Sequence, residues 1–203
     1  MKINKIRYES GDIVTLAGTE FVVLDVERYG TPPDSLFLLA LKSVGDSEFG
    51  SSNNYAESDL KKAVDKWLED MGKRGLDNAK LIPREIDLTT LDGSGCYGKL
   101  SVKAAPLTLD EAREYADIIP NAERWYWLAT GWSGPSKSDG DLALCVNSNG
   151  DWYYSYCSFS YGIRPALKIP ADLLSDPVDK PDLSEVPTDT LLEEIRRRTM
   201  SRG

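Results

Sequence analysis

The chain has 203 residues, and 33 acidic against 24 basic side chains give it a net charge of −9, which argues against phosphate-driven nucleic-acid binding. It has no histidine, so Ser–His and Cys–His nucleophile pairs are excluded; Cys96, Cys145 and Cys157 are too few and too widely spaced for a zinc site or a disulfide framework. No apolar run is long enough to span a bilayer, and the opening MKINKIRYESGD lacks the apolar centre of a signal peptide, so the expected location is cytoplasmic or within an assembled particle.

In chain order, Ile13 to Leu16, Gly18-Thr19 and Phe21 to Val26 read as a β-hairpin, with Val14 and Leu16 alternating against polar neighbours. Gly30-Thr31-Pro32-Pro33 breaks the chain. Leu36 to Leu41 is a short apolar run of buried-strand type. Leu60, Val64, Trp67, Leu68 and Met71 form one apolar stripe, which predicts a helix over 57–71. Ser58 or a neighbour is its expected cap, and Gly72 or Gly75 its expected stop. Lys80 to Leu100 shows no clear period beyond a turn at Asp92-Gly93-Ser94-Gly95. Thr108 and Glu111 then form a capping box for a helix to about Asp117, burying Leu109, Ala112 and Ala116 before Pro120.

Trp125 to Leu167 is the focal stretch, holding four of the five tryptophans and five of the ten tyrosines. It reads as strands at Trp125–Ala129, Leu142–Val146, Asp151–Tyr156 and Ile163–Ile169 in one sheet. Asn149-Gly150 is the hairpin turn, with both residues expected at positive φ. Trp152 to Tyr161 contains Trp, four Tyr, Phe, Cys and three Ser, without one aliphatic residue. A core strand is built from Leu, Ile, Val and Phe. Aromatic plus small polar is instead the vocabulary of a binding surface, because Tyr offers stiff amphipathic area and Ser adaptable hydrogen bonds.

After Pro170 the composition changes. Residues 171–187 read as an acidic, Pro-rich linker. Residues 188–203 hold a short amphipathic helix with Leu191, Leu192 and Ile195 on one stripe, which is marginal alone and expected to pack on a partner, another copy of the chain or its own domain. Residues 1–170 are then the folded domain, of α+β class, mostly antiparallel sheet with two main helices.

Trp127-Leu128, Val146-Asn147-Ser148-Asn149-Gly150 and Gly162-Ile163-Arg164-Pro165-Ala166-Leu167 resemble a bacterial and phage domain family of uncharacterised function, closed by a Gly-Val-Arg-Pro-Ala-Leu signature. Ile163 stands here for the usual Val. Members of that family look like the C-type-lectin-like fold, shared by formylglycine-generating enzymes and by the variable proteins of diversity-generating retroelements, such as the phage major tropism determinant. The resemblance covers roughly residues 11–169, with weaker matches at Gly11 to Val26, Asn53-Asn54-Tyr55 and Ser58-Asp59-Leu60. It implies a receptor-binding, non-enzymatic protein with a hypervariable surface for a protein or glycan ligand and no cofactor. In retroelement targets, error-prone copying of adenines turns AAY codons into NNY codons, and every residue from Tyr153 to Tyr161 has an NNY codon.

The expected ligand-binding residues are Tyr153, Tyr154, Tyr156, Ser158, Phe159 and Tyr161, joined by Thr130, Trp132 and Ser133 from the neighbouring loop. Trp152 and Cys157 are expected to point inward, and Arg164 to be structural, its five donors satisfying loop carbonyls. Three rival readings stand beside this one. A formylglycine-type enzyme needs Cys145 and Cys157 to meet as a reactive pair. Calcium-dependent sugar binding would draw on Asp139 and Asp141, although the lectin Glu-Pro-Asn and Trp-Asn-Asp motifs are absent. A subunit of a phage or bacterial particle would use the aromatic face as a fixed interface.

Overall fold

The apolar runs of the sequence become the spines of two sheets in the computed structural model, which describes residues 8–27, 34–135 and 137–174. The first strands are β1 (Ile13–Leu16), β2 (Thr19–Glu27), β3 (Ser35–Ala40) and β4 (Asp46–Glu48). Helix α1 (Asp59–Lys73) follows, then β5 (Arg84–Asp87), β6 (Lys99–Val102) and β7 (Ala104–Ala105). Helix α2 (Leu109–Glu114) precedes β8 (Tyr126–Gly131), β9 (Leu142–Val146), β10 (Trp152–Tyr156), β11 (Ser160–Gly162) and β12 (Ala166–Pro170). One sheet runs β1-β2-β3-β12-β7, the second β10-β9-β8-β11-β4, and β5 and β6 pair by themselves. All pairings are antiparallel except β11 with β8, so the class is α+β.

Local chemistry explains the elements. Ser58 caps α1 by accepting from the Lys61 amide, and Leu60, Val64, Trp67 and Met71 are its buried stripe. Each such buried side chain contributes roughly 1.5–3 kcal/mol. The Thr108–Glu111 capping box is complete at α2, which ends at Glu114, earlier than Asp117, and turns through Ile118. The first hairpin closes over Ala17-Gly18, one residue earlier than expected, with φ of 46° and 76° at the two turn positions.

The residues after β11 hold the two sheets together. The sequence placed Ile163–Ile169 in the same sheet as the other focal strands; the chain instead leaves the second sheet at Gly162 and enters the first at Ala166, beside β3. At Gly162, which pairs with Tyr126, an added Cβ would lie 2.2 Å from Ser43 Oγ and 3.0 Å from the Trp125 carbonyl oxygen. Arg164 fills the crossing, 1% exposed. Its Nε donates to the Ala40 carbonyl at 3.0 Å and its Nη1 to the Pro120 carbonyl at 3.2 Å. The guanidinium lies 4.7 Å from the centre of the Tyr126 ring. Burial pulls its pKa below the ordinary arginine value, and the neighbouring Tyr126 opposes that shift.

Both sheets feed two cores. Phe21, Val23, Leu38, Trp127, Ala143 and Cys145 pack with the α1 stripe, whereas Val22, Leu24, Leu39, Tyr126, Leu128, Leu144 and Val146 pack with Leu109 and Ala112 of α2. At the C-terminal end, Ala171–Leu173 form a 3-10 turn with Ala171 and Leu174 buried, so the chain stays packed past Pro170. The break at Gly30-Pro33, the rest of the expected linker and the terminal amphipathic helix lie outside the described residues. Among the described residues no helix is long and apolar enough to cross a membrane.

Candidate functional site

β8 is buried along its whole length, and β9 covers one side of it; β10 is the outermost strand beyond β9. A strand with one neighbour is covered less well than an inner one. Trp152, Tyr153, Tyr154, Tyr156 and Phe159 are each 44–55% exposed. The hairpin that places them differs from the sequence expectation. Asn149 is not at positive φ; only Gly150 is, at 89°. The loop is a three-residue type bracketed by Asn147 and Asp151, with Gly150 in the left-handed position. The Asn147 side-chain oxygen accepts from the Asn149 amide at 2.8 Å and the Asp151 amide at 3.0 Å, which fixes the entry into β10.

Strand alternation sends the rings to both faces. Tyr153 lies opposite Cys145 and packs on Trp125 with ring centres 5.1 Å apart. Trp125 meets Tyr161 at 5.6 Å, Tyr161 meets Phe159 at 6.4 Å, and Phe159 meets Tyr156 at 6.1 Å. On the opposite face, Tyr154 packs on Trp132 at 4.2 Å, and the Arg113 guanidinium lies 5.5 Å from the Trp152 ring. The aromatic surface is therefore a ridge wrapped around the edge of β10, continued by a tight turn in which the Phe159 amide donates to the Tyr156 carbonyl at 2.9 Å. Ser158 is exposed at the tip of that turn.

The structure gathers Tyr153, Tyr154, Tyr156, Ser158, Phe159 and half-buried Tyr161 into this ridge, with half-buried Trp132 at its flank. Thr130 and Ser133, expected beside them, are 3% and 2% exposed and present no surface. Thr130 sits in the buried strand β8, where its hydroxyl accepts from the Leu109 amide at 2.9 Å; Ser133 gives its carbonyl to Asn53 at 2.9 Å. Trp152, expected inward, is 44% exposed, because its register opposite Val146 puts it on the Tyr154 face at the sheet margin, against Arg113. Cys157 is buried, as is Ser155, whose hydroxyl lies 3.1 Å from that of Tyr161. Two contributors carried no sequence signal of this role: Trp125 read as the start of a strand, and Arg113 lies within the span expected for the second helix.

The cysteines have the environment of packing groups. Cys145 and Cys157 are free and buried, and burial pushes each thiol up to about 12, with the Asp141 charge adding to the shift at Cys157. An activated thiol has the opposite shift. Among the described residues no group of three His, Cys, Asp or Glu side chains could hold a metal ion, and the Asp139 and Asp141 carbonyls are engaged by the Leu142 and Cys157 amides. A surface cleft of about 190 Å³ between α2 and the first sheet is lined by Asp25, Glu27, Glu111, Glu114, Arg84 and Lys168, where Glu111 pairs with Arg84 and Glu27 with Lys168.

Comparison with family models, with curated proteins and with solved structures finds no match for the chain.

Proposed function

We propose that the chain is a ligand-binding protein of receptor-recognition type, whose aromatic ridge engages a protein or glycan on a cell surface. One observation carries this reading: of the seven exposed large hydrophobic side chains among the described residues, five lie between Trp152 and Phe159. A ridge of Tyr and Trp rings offers broad apolar faces with polar tips, and Ser158 and Ser160 supply small hydrogen-bonding groups beside them. The C-type-lectin-like fold belongs to the same proposal, which the mixed α+β body supports at the level of class. So does diversification by a retroelement, which the exposure of Tyr153, Tyr154, Tyr156, Ser158 and Phe159 supports.

A second reading, a fixed interface in a phage or bacterial particle, is favoured by Ser155 and Cys157. Both are buried within the Tyr/Ser block, where free substitution would cost stability. Two experiments test the proposal. The chain is screened on glycan and host-surface protein arrays beside Tyr154→Ala and Tyr156→Ala variants, each expected to weaken a captured ligand by about tenfold or more. Full retention by both variants sinks the ridge as the site. Population sequencing of the coding region, with a search of the adjacent DNA for a reverse transcriptase and a near-copy template, then separates the two readings. Variation at the exposed positions with residues 162–167 constant supports diversification; an invariant block without a template turns the search to one constant partner.

A further inference from the structure

The backbone of β10 carries information that its side chains do not. In the ladder with β9, the Asn147 amide donates to the Asp151 carbonyl at 2.9 Å and the Cys157 amide to the Asp141 carbonyl at 2.7 Å. Antiparallel pairs alternate, so between these two bonded pairs Tyr153 and Ser155 also direct their backbone groups at β9. Trp152, Tyr154 and Tyr156 then direct theirs outward, where no strand follows among the described residues. Among the described residues only the Tyr156 carbonyl is engaged, by the Phe159 amide. Folded proteins guard such edges with charge, proline or brevity. The other edge of this sheet does so: β4 has three residues, two of them Asp46 and Glu48. β10 has five residues, and from Trp152 to Tyr161 there is neither a charge nor a proline.

We infer that β10 pairs with β10 of a second copy, antiparallel about Tyr154, joining two five-stranded sheets into one of ten. The strand is complementary to itself in this register. Tyr154 faces Tyr154, Trp152 faces Tyr156, and all three have outward backbone groups. A parallel arrangement would set Asp151 against Asp151; the antiparallel one carries these carboxylates to opposite ends. The pairing is two-fold and closes on itself, so it ends at a dimer. It places Trp152, Tyr154 and Tyr156 of the second copy on the same face as those of the first, so a ligand meets rings from both copies. This goes beyond ligand recognition and does not depend on it.

The test is sedimentation of the full chain at about 100 μM, a hundredfold above a micromolar dissociation constant. The variants are Tyr154→Pro, Tyr154→Lys and Tyr154→Phe. The Tyr154 amide points away from β9, so proline there leaves the internal ladder its hydrogen bonds while removing one that the pairing needs. Lysine keeps the amide but sets two charges face to face. A dimer is expected for the wild type and Tyr154→Phe, with Tyr154→Pro and Tyr154→Lys weakened roughly a hundredfold or more. Circular dichroism checks that each variant is folded; if the proline variant is not, the lysine variant decides. A monomeric wild type overturns the inference, as does a dimer that survives lysine. No ligand is present, so a monomer leaves ligand recognition standing, and failed ligand capture leaves the pairing standing.

Discussion

Arg164→Met tests the joint between the sheets. The substitution keeps much of the side-chain volume and removes the guanidinium. It leaves the buried Ala40 carbonyl and the partly buried Pro120 carbonyl without their donors, at 3.0 and 3.2 Å in the native protein. Each unsatisfied carbonyl costs about 1–3 kcal/mol. The lost contact with the Tyr126 ring adds about 1 kcal/mol. Against this stands relief of a buried cation with no carboxylate beside it, whose Nη2 has no hydrogen-bond partner among the described residues. The balance is a net loss of about 2–4 kcal/mol. With a urea slope near 2 kcal/mol per molar, the unfolding midpoint falls by about 1–2 M. Arg164→Lys retains the charge yet loses the fork, and is expected to lose at least as much at neutral pH. Its buried ammonium would hold its proton more weakly folded than unfolded, where the pKa is about 10.4. The unfolded state then binds more protons, so the stability of this variant rises with pH toward that value. Urea titrations followed by circular dichroism measure all of this. A methionine variant within about 0.5 kcal/mol of wild type would refute the account of Arg164 as the bonded crosspiece.

Three further outcomes follow from local geometry. Gly162→Ala is expected to lower stability by about 1–3 kcal/mol in thermal melts, since its Cβ would meet Ser43 Oγ and the Trp125 carbonyl; adding Ser43→Ala relieves only the first contact and recovers part of the loss. A thiol reagent at pH 8 is expected to label one cysteine per native chain, the exposed Cys96, and rapid labelling of Cys145 or Cys157 would contradict their burial and raised pKa. The Asp92 carboxyl is held down at about 2, chiefly by its bond from Lys137, with Thr90 next. A lowered acid pKa stabilises above the unfolded value, so the tie is expected to be intact at pH 5 and lost between about pH 4 and 2; a carboxyl titration of Asp92 centred near 4 would remove it.

How much of this was legible in the sequence depended on how many buried side chains each element carries. The α1 stripe and the Thr108–Glu111 box are dense signals, and both elements lie within a few residues of where they were read. β5 and β6 bury only Ile86 and Val102 respectively, and β4 has no apolar residue; such strands are made by their neighbours. The candidate site divides the same way. Its composition marked Tyr153 to Tyr161, but the direction of Trp152 is set by register against β9, which no single strand specifies. Thr130 and Ser133 look like surface residues by type and are buried because Thr130 lies in the central strand β8 and Ser133 just beyond its end. The signature Gly162 to Leu167 was visible as a motif, whereas its work as a crossing between sheets needed both sheets to be seen.

The pairing of β12 with β3 also bears on synthesis. Residues 166–170 lie against residues 35–39, and Arg164 reaches back 124 positions to Ala40. While the chain is being made, β3 has β2 on one side, and its other edge lacks its partner β12 until residues 166–170 leave the ribosome. Contacts this distant in sequence slow folding, because the loop between them must be closed before they contribute. An apolar strand such as Leu36 to Ala40 therefore waits through the translation of more than half the chain, open to the wrong neighbour. Pausing or truncation before residue 166 would leave that strand without its partner.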